Sequence, residues 1–347
     1  MLTKGPDQPI RDFLADLPHA AMAGICLCSD PRGIADPVSG KRFAYLLMPS
    51  SETAATFWRI DLETRAKTQL AALPAAAAGT YLFPRAAALF DFTGGAASDT
   101  PTVYVMVALS AAPWVQWMAY NVRTGAWAAP LAVPVLTAAA AFATSVALAH
   151  PCGTLGTFAP LNANIAEDFI YCNGNGGAFN AVAGPSNLAR YAKAAGVWTY
   201  LTGAGVARVG APAAGSKLVW LPVYPDRLYS NRGGASAALD YYSFSTNAWT
   251  ATAPIPAVLL DEGTELVTLY EAPGWIAVRP GGAVNQILAL EGGGLGFQNV
   301  CQIDDAVLPA AHASNALIAW WMGGQFYFGV VCYGRSDVYR IQPPMPL

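Results

Sequence analysis

Short apolar stretches with alternating polar positions, separated by turns, fill most of this chain. Stretches rich in aromatic and β-branched residues are typical of strands, and amphipathic segments of helical period are scarce. Units of such stretches end in short runs that close on Pro: RDFLADLP (11–18), KTQLAALP (67–74), WAAPLAVP (127–134), WTATAPIP (249–256) and CQIDDAVLP (301–309). A sixth closing run, WTYLTGAG (198–205), ends in Gly instead. The pattern predicts an all-β protein built from a repeated unit.

Three of these units contain a Tyr followed seven residues later by a Trp. The pairs are Tyr120 and Trp127, Tyr191 and Trp198, and Tyr242 and Trp249. The turn within each pair carries Gly125, Gly196 or Asn247, residue types that accept the positive φ of a hairpin turn. Each phrase therefore predicts a hairpin, with the Tyr and the Trp as packing residues of a structural repeat.

Two further strands are expected before each hairpin. The stretches predicted as second strands are FAYLLMP, TVYVMVAL, DFIYCNG, KLVWLPVY, GWIAVRP and QFYFGVVCYG. Four strands per unit, repeated at roughly 50 to 70 residues, indicate a β-propeller. The residues after Pro309 and those up to Pro18 together make one unit of ordinary length. We therefore expect six four-stranded blades, with the N-terminal strand closing the last blade, and seven blades as the alternative.

The predicted organisation is a single propeller domain over residues 1–347. The expected blades are residues 19–74, 75–134, 135–205, 206–256, 257–309, and 310–347 completed by 8–18. Completing the last blade with the first strand removes an exposed sheet edge, which would otherwise template aggregation.

The repeated phrases resemble the kelch repeat. That pattern has a Gly pair after the second strand, then a Tyr, then a Trp seven residues on, and a closing run with Pro. The matching positions are Gly176, Gly177, Tyr191 and Trp198, then Gly233, Gly234, Tyr242 and Trp249, then Gly281 and Gly282 with Leu290 and Phe297 as apolar substitutes. The first blade departs from the pattern, with Ile60 and Lys67 and no Gly pair. The resemblance implies a propeller and leaves the chemistry open.

Composition narrows the function. Charged residues make up 12% of the chain and the net charge is −3, without long Lys or Arg runs, so we expect no nucleic-acid partner. The N-terminus lacks the apolar region of a secretory signal, and no apolar run is long enough to span a membrane. We therefore expect a protein made in the cytoplasm, without a signal peptide or membrane span.

Residues suited to catalysis or metal binding show no organised spacing. The six cysteines are scattered and predict free buried thiols: Cys26, Cys28, Cys152, Cys172, Cys301 and Cys332. The three histidines, His19, His150 and His312, have no ligand spacing, so neither a metal nor another cofactor is expected, including a copper site like that of galactose oxidase. Acids at 167–169, 261–265 and 304–305 lack the pairing of a glycosidase. No enzymatic activity is predicted.

A binding site is expected on two long segments predicted to join second and third strands, residues 173–187 and 224–238. Their aromatic, Arg and amide side chains are of the kind that interfaces favour. The candidate binding residues are Asn173, Asn175, Asp226, Arg227, Tyr229, Asn231 and Arg232.

The resulting hypothesis is a non-enzymatic structural or binding module with protein partners in a larger assembly. The sparse charge and the absence of a signal resemble a bacteriophage virion component of the tail or host-facing apparatus, which implies virion proteins as partners and a host surface glycan as a ligand. Two alternatives stay open: a carbohydrate-active propeller, either a galactose-oxidase-like enzyme or a lectin, and a bacterial kelch adaptor that binds one protein.

Overall fold

The chain forms strands and turns throughout the part that is described. The computed structural model describes residues 10–30, 35–91, 101–134, 146–149, 169–174, 188–201, 208, 216–221, 223–233, 236–252, 264–269, 274–280, 286–291, 297–302, 315–332, 334 and 336–343. These residues contain 24 strands and no helix, which confirms the predicted all-β class.

The strands form six antiparallel sheets of four strands each, within the described ranges. Sheet 1 contains β2 (Cys26–Ser29), β3 (Phe43–Pro49), β4 (Ala55–Asp61) and β5 (Lys67–Gln69), and sheet 2 contains β6 (Tyr81–Asp91), β7 (Thr102–Leu109), β8 (Val115–Asn121) and β9 (Ala126–Trp127). Sheet 3 contains β10 (Val146–Ala149), β11 (Phe169–Gly174), β12 (Leu188–Ala192) and β13 (Val197–Tyr200), and sheet 4 contains β14 (Leu218–Trp220), β15 (Arg227–Asn231), β16 (Leu239–Ser243) and β17 (Ala248–Ala251). Sheet 5 contains β18 (Glu265–Leu269), β19 (Trp275–Arg279), β20 (Gln286–Glu291) and β21 (Phe297–Gln302), and sheet 6 contains β22 (Asn315–Met322), β23 (Gln325–Cys332), β24 (Asp337–Gln342) and the first strand of the chain, β1 (Ile10–Asp16).

The first strand and the last strand of the described chain pair with each other. In their antiparallel register Ile10 lies opposite Gln342 and Asp16 lies opposite Asp337. Within each of the other sheets the four strands follow one another in chain order.

The first strands of the sheets contact one another in chain order. β2 contacts β6, β6 contacts β10, β10 contacts β14, β14 contacts β18 and β18 contacts β22, while β22 contacts β2. The apolar core lies between the sheets. Buried side chains of sheet 2, for example, pack against those of sheet 3 in one cluster, and those of sheet 5 pack against sheet 6 in another.

The Tyr and Trp of each predicted hairpin lie directly opposite each other across the third and fourth strands. Their ring centroids are 5.2 Å apart for Tyr120 and Trp127, 5.3 Å for Tyr191 and Trp198, and 5.6 Å for Tyr242 and Trp249. The turn residues Gly125, Gly196 and Asn247 have positive φ. Leu290 faces Phe297 and Ile60 faces Lys67 in the same register, so the sheet geometry tolerates other residue types there.

In sheets 2 and 3 the indole of this hairpin donates a hydrogen bond to the preceding sheet. The Nε1 of Trp127 donates to the carbonyl of Ala71 at 3.3 Å, and that of Trp198 donates to Ala132 at 2.9 Å. Both acceptors lie after the last strand of the sheet before. In sheet 1, the Nζ of Lys67 donates to the carbonyl of Asp16 in β1 at 2.6 Å. Lys67 therefore replaces the indole as the donor to the neighbouring sheet.

Sheet 4 corrects one prediction. KLVWLPVY was predicted as a second strand and residues 224–238 as a loop, but β14 is the first strand of its sheet and β15 is the second. Successive turns separate them, since Tyr224 N donates to the carbonyl of Leu221 and Arg227 N to that of Tyr224. The strand escaped prediction because its polar residues Ser230 and Asn231 are buried, which masks the apolar alternation.

Candidate binding site

Sheets 1 and 3 share a stacked arrangement on their second and third strands. Tyr45 lies opposite Arg59 in sheet 1, and Tyr171 lies opposite Arg190 in sheet 3. Each guanidinium stacks on a Phe two residues before the Tyr, at 4.5 Å over Phe43 and 4.2 Å over the equivalent ring of β11. The stacking holds both arginines against their own sheets.

Sheet 2 fills the equivalent position with an indole. Tyr104 corresponds to Tyr171, but the residue opposite is Ala119. The ring of Trp117 stacks on Tyr104 with centroids 5.0 Å apart and an interplanar angle of 15°. The same indole contacts Tyr191 of sheet 3, at 5.7 Å between centroids. Sheets 2 and 3 are therefore packed together around one fully buried tryptophan.

Sheets 3 and 4 leave a cleft at the corresponding place. Leu188 takes the position of Trp117 in the register; it is buried in the apolar cluster that joins sheets 3 and 4, and its side chain is smaller than an indole. The cleft has a volume of about 280 Å³. Its lining combines four aromatic rings with a guanidinium, an amide and a leucine: Tyr171, Tyr200, Tyr242, Phe244, Arg190, Asn247 and Leu201.

The rings at the base of the cleft are fixed by packing. Tyr171 and Phe244 lie 5.1 Å apart between centroids, and both are buried. The hydroxyl of Tyr242 donates to Oδ1 of Asn247, and burial raises the pKa of this tyrosine above its usual value. Tyr242 is therefore a neutral donor at ordinary pH, and its bond orients the amide.

The mouth of the cleft is more polar than its base. The Nε of Arg190 donates to Oγ1 of Thr199 at 3.1 Å, which adds to the stacking on Phe169. Arg190 and Tyr200 are partly exposed and Asn247 is exposed. The cleft therefore offers aromatic surface below and hydrogen-bonding groups at the rim, an arrangement suited to recognition of a small polar ligand.

Two of the sequence-predicted binding residues meet between sheets 3 and 4, but inside the protein. The Nδ2 of Asn173 donates to Oγ of Ser216 at 2.9 Å, and Ser216 donates in turn to the carbonyl of Asn231 at 2.8 Å. The backbone N–H of Lys217 donates to Oδ1 of Asn231 at 2.6 Å. Asn173 and Asn231 are both buried, so they contribute to a network that joins the two sheets.

Arg232 is held by a carboxylate. Its Nε and Nη2 donate to the two oxygens of Asp240, each at 2.9 Å. Arg208 donates to the same carboxylate at 2.8 Å and stacks over Trp249 at 4.5 Å. Two guanidinium groups thus share one buried acid in sheet 4.

The other predicted residues of this segment also contact their own sheet. Asp226 accepts bonds from Oγ of Ser243 and from the N–H and Oγ of Ser245, each at 2.7 Å, which secures the turn of the sheet 4 hairpin. Arg227 stacks over Tyr241 at 4.5 Å, and Tyr229 is fully buried. Asn175 lies outside the described residues. A ligand-binding role for this set stays a prediction, although its expected position on an exposed loop is wrong for β15.

The thiols that the structure describes are buried or partly buried. Cys26, Cys28, Cys172 and Cys332 do not form disulfides. Burial raises the pKa of Cys26 to about 12 and raises those of Cys28 and Cys172 further. Cys152 and the side chain of Cys301 lie outside the described residues. The described thiols are therefore packing groups rather than nucleophiles at neutral pH.

Across the described segments, no group of three or more His, Cys, Asp and Glu side chains is placed to hold a metal ion. His19 is described, whereas His150 and His312 are not. None of the described segments forms a helix long and apolar enough to cross a bilayer.

Comparison with known proteins identifies the fold and no family. No family model matches the sequence, and no curated protein matches it. A structural-genomics protein of unknown function from Bacteroides thetaiotaomicron has a TM-score of 0.53 and 10% identity, over 97% of this chain and 72% of that one. An arginine-to-alanine triple mutant of AofleA from Arthrobotrys oligospora has a TM-score of 0.50 and 12% identity, over 98% of this chain and 91% of that one.

The fold is of the β-propeller type. At identities this low, the likeness concerns the backbone arrangement alone. The propeller's binding chemistry therefore has to be argued from its own side chains.

The lining residues of the cleft were missed by sequence reasoning, apart from Tyr242 and Asn247, which were singled out for the hairpin. A usable pattern was present. The phrases FAY in β3 and FIY in β11 repeat an aromatic pair at strand spacing, and in each case an Arg stands on the following strand. Searching for recurring Phe-x-Tyr with a later Arg would have marked Arg190, the most polar of the residues missed.

Proposed function

We propose that the protein is a non-enzymatic binding module, built as a six-bladed propeller whose last blade is completed by β1. The cyclic order of contacts among the first strands supports this arrangement. The bond from Lys67 to Asp16 supports it as well, because it repeats between sheet 1 and β1 the tie that Trp127 makes to Ala71. The proposed single domain and its blade boundaries are those predicted from the sequence.

The cleft between sheets 3 and 4 is the proposed ligand site, and this cleft carries the proposal. Its volume of about 280 Å³ lies at the lower end of ordinary ligand pockets, which suits one ring or a short chain of rings. Aromatic rings at the base provide apolar faces on which the C–H face of a sugar packs. Arg190 and Asn247 at the rim supply donors and acceptors for hydroxyl groups.

The ligand class that fits these groups is a carbohydrate. Among the described residues no carboxylate lines the cleft, and glycoside hydrolysis needs two positioned carboxyl groups, so binding without cleavage fits this lining better than catalysis. Tyr242 stays neutral, as noted above, and so supplies a hydrogen bond rather than a charge.

Membership of a bacteriophage particle is part of the same proposal, with virion proteins as partners and a host surface glycan as ligand. It is supported by the low share of charged residues, 12% of the chain, and by the resemblance of this composition to that of virion components. The neighbouring genes test it: genes for portal, capsid or tail proteins are expected beside this one. A gene set of unrelated metabolism, together with a stable free monomer, would count against it.

Glycan binding tests the ligand site directly. We expect the purified protein to bind a subset of sugars on a glycan array, and Arg190→Ala to weaken that binding by about tenfold or more, since a charge-assisted hydrogen bond is worth roughly 1.5–3 kcal/mol. Leu201→Trp should block it by occupying the cleft.

Arg59→Ala is the matched control. Arg59 stacks on a Phe in the same register of sheet 1 but does not line the cleft, so its removal should leave glycan affinity unchanged. The proposal fails if no sugar is bound, or if the Arg190 and Arg59 variants lose affinity equally while both retain their circular dichroism spectra.

A further inference from the structure

A second guanidinium, remote from the cleft, is buried without a matching acid. Arg279, the last residue of β19, is 0% exposed. Its Nη2 donates to Sγ of Cys332 in sheet 6 at 3.5 Å, a weak acceptor. Its Nε and Nη1 are buried and have no hydrogen-bond partner among the described residues. Arg279 thus has two buried donor atoms for which the described residues supply no acceptor.

The neighbouring acid is engaged elsewhere. Glu265 lies directly opposite Arg279 in the register of β18 and β19. Its Oε1 pairs with Nζ of Lys217, from the preceding sheet, at 2.8 Å. These described groups comprise two cations and one anion, so the cluster carries an excess positive charge.

The cluster lies where first strands converge. Lys217 directly precedes β14 and Glu265 begins β18, and both act electrostatically on the thiol of Cys26 in β2. The side chains of Lys217 and Glu265 are 24% and 16% exposed, so solvent reaches the ion pair, while the side chain of Arg279 is buried. The ion pair is therefore the side from which a small solute would approach the guanidinium.

We propose that Arg279 anchors a binding site for a small oxyanion, beside the Lys217–Glu265 pair and against sheet 6. A guanidinium stays protonated in proteins, so it cannot relieve its burial by losing a proton as a lysine does. Its planar array of N–H groups matches the oxygens of a carboxylate or a phosphate. The bound anion supplies the missing acceptors and balances the excess charge.

Arg208 is a buried arginine of the same protein that does have a carboxylate partner, although its Nη1 has no acceptor among the described residues. It donates to Asp240 at 2.8 Å and to the carbonyl of Ser230 at 3.1 Å. The contrast makes Arg208 a matched control: its replacement removes a buried guanidinium that has its own carboxylate partner.

Thermal unfolding with defined anions tests the site. The probes are sodium acetate, phosphate and sulfate, titrated against sodium chloride at constant ionic strength. We expect a saturable rise in Tm with one or more oxyanions, by roughly 4 °C at a hundredfold excess over Kd. Arg279→Met should abolish that rise, whereas Arg208→Met should lower the starting Tm and keep the rise.

Two further results make the test decisive. Sulfate and phosphate also stabilise proteins by exclusion from their surfaces, but that effect does not saturate and would appear equally in the Arg279→Met variant. If that variant does not fold, Arg279→Lys is the alternative, because it keeps the positive charge but lacks the planar array of N–H groups. The oxyanion Kd should then rise by at least tenfold. No saturable rise in the unmodified protein, or an unchanged rise in either Arg279 variant, overturns the proposal.

Discussion

The interface between sheets 2 and 3 and the one between sheets 3 and 4 share a backbone register and differ in what fills them. In the first, Trp117 stacks on Tyr104 and reaches the hairpin of the next sheet. In the second, Leu188 stands in place of the indole, Arg190 stands in place of Ala119, and a cleft of about 280 Å³ remains. Two replacements, of an indole by a leucine and of an alanine by an arginine, accompany the change from a packed interface to one with a cleft.

This difference shows how a repeated fold can acquire a site without altering its strands. The Tyr of the second strand is kept in both sheets, and the hairpin Tyr and Trp are kept as well. The packing between the sheets is therefore what differs. The register position that an indole fills between sheets 2 and 3 holds a smaller side chain between sheets 3 and 4, where room for a ligand remains.

The largest expected effect is at the packed interface. Trp117→Ala should lower the free energy of unfolding by about 3–5 kcal/mol, because it empties a fully buried position that contacts two sheets. Leu188→Ala, at the equivalent position beside the cleft, should cost about 2–3 kcal/mol. Guanidinium-induced unfolding measures both. Equal losses would show that the indole is not what closes the first interface.

The packed interface also contains a buried ion pair, and breaking it is the next test. Lys193, in the turn of the sheet 3 hairpin, pairs with Asp91 of sheet 2, and both side chains are 0% exposed. Lys193→Met should cost about 3 kcal/mol, because it leaves a carboxylate buried without its cation.

Arg123 provides the matched control for that pair. It occupies the same hairpin turn one sheet earlier and pairs with Asp36 of sheet 1, but both side chains are partly exposed. Arg123→Met should cost no more than about 1 kcal/mol. A similar loss in both variants would contradict the role assigned to burial.

The hairpin turn of sheet 1 should contribute a pH-dependent part of the stability that the equivalent turn of sheet 2 lacks. Asp61 occupies the turn position that Asn121 occupies in sheet 2. Burial acts to raise its pKa, but Lys41 and the N–H groups of Glu63 and Thr64 outweigh burial and lower the pKa from 3.8 to about 2. A lowered folded pKa gives stability that is complete above the unfolded value near 4 and is lost as the pH falls towards 2.

Asp61→Asn should therefore remove up to about 2 kcal/mol of pH-dependent stability between pH 4 and pH 2. Urea unfolding at a series of pH values measures it, and Asn121→Ala serves as the control that leaves the pH profile unchanged. An identical acid profile in the Asp61 variant would contradict the assignment.

The smallest effect compares the hairpin turns of sheets 2 and 3. Oδ1 of Asn121 accepts bonds from the N–H groups of Arg123 and Thr124 at 2.9 Å, and Ala192 has no such group. Asn121→Ala should cost about 1 kcal/mol. Ala192→Asn should recover part of that amount in sheet 3, as a rise in Tm, and a fall in Tm would show that this turn cannot accept the cap.

The hairpins could be predicted because their information is local. Tyr120, Gly125 and Trp127 lie within one turn and two short strands, and residue type and spacing suffice to place them. The same locality gave the all-β class. Asn247 shows the same point, since a residue that tolerates positive φ stood where the turn needed it.

Sheet 4 was misread where two local rules disagreed. The apolar KLVWLPVY looked like the better second strand, while the Gly pair that follows second strands in the kelch pattern begins at Gly233, two residues after β15. Gly176 and Gly281 begin at the same distance after the ends of β11 and β19. Giving the Gly spacing more weight than hydrophobicity would have found β15.

The candidate cleft could not be predicted, because it depends on which neighbour each strand face meets. Tyr171 and Phe244 are far apart in sequence and belong to different sheets. No local sequence pattern indicates that their ring centroids lie 5.1 Å apart. The predicted residues Asn173 and Arg232 were chosen for their polarity, yet that polarity is used within the protein. Polar side chains between sheets serve assembly as readily as recognition.

The pairing of β1 with β24 also determines when sheet 6 can form during synthesis. β1 is synthesised before its partner strand β24, so the edge of β1 stays unpaired during the synthesis of the five intervening sheets. Until residues 337–342 emerge, sheet 6 cannot be complete, and contacts of such long sequence separation are slow to form. The nascent chain is therefore exposed to misassembly with another copy of itself until β24 has been made, and chaperone demand should be greatest before that point.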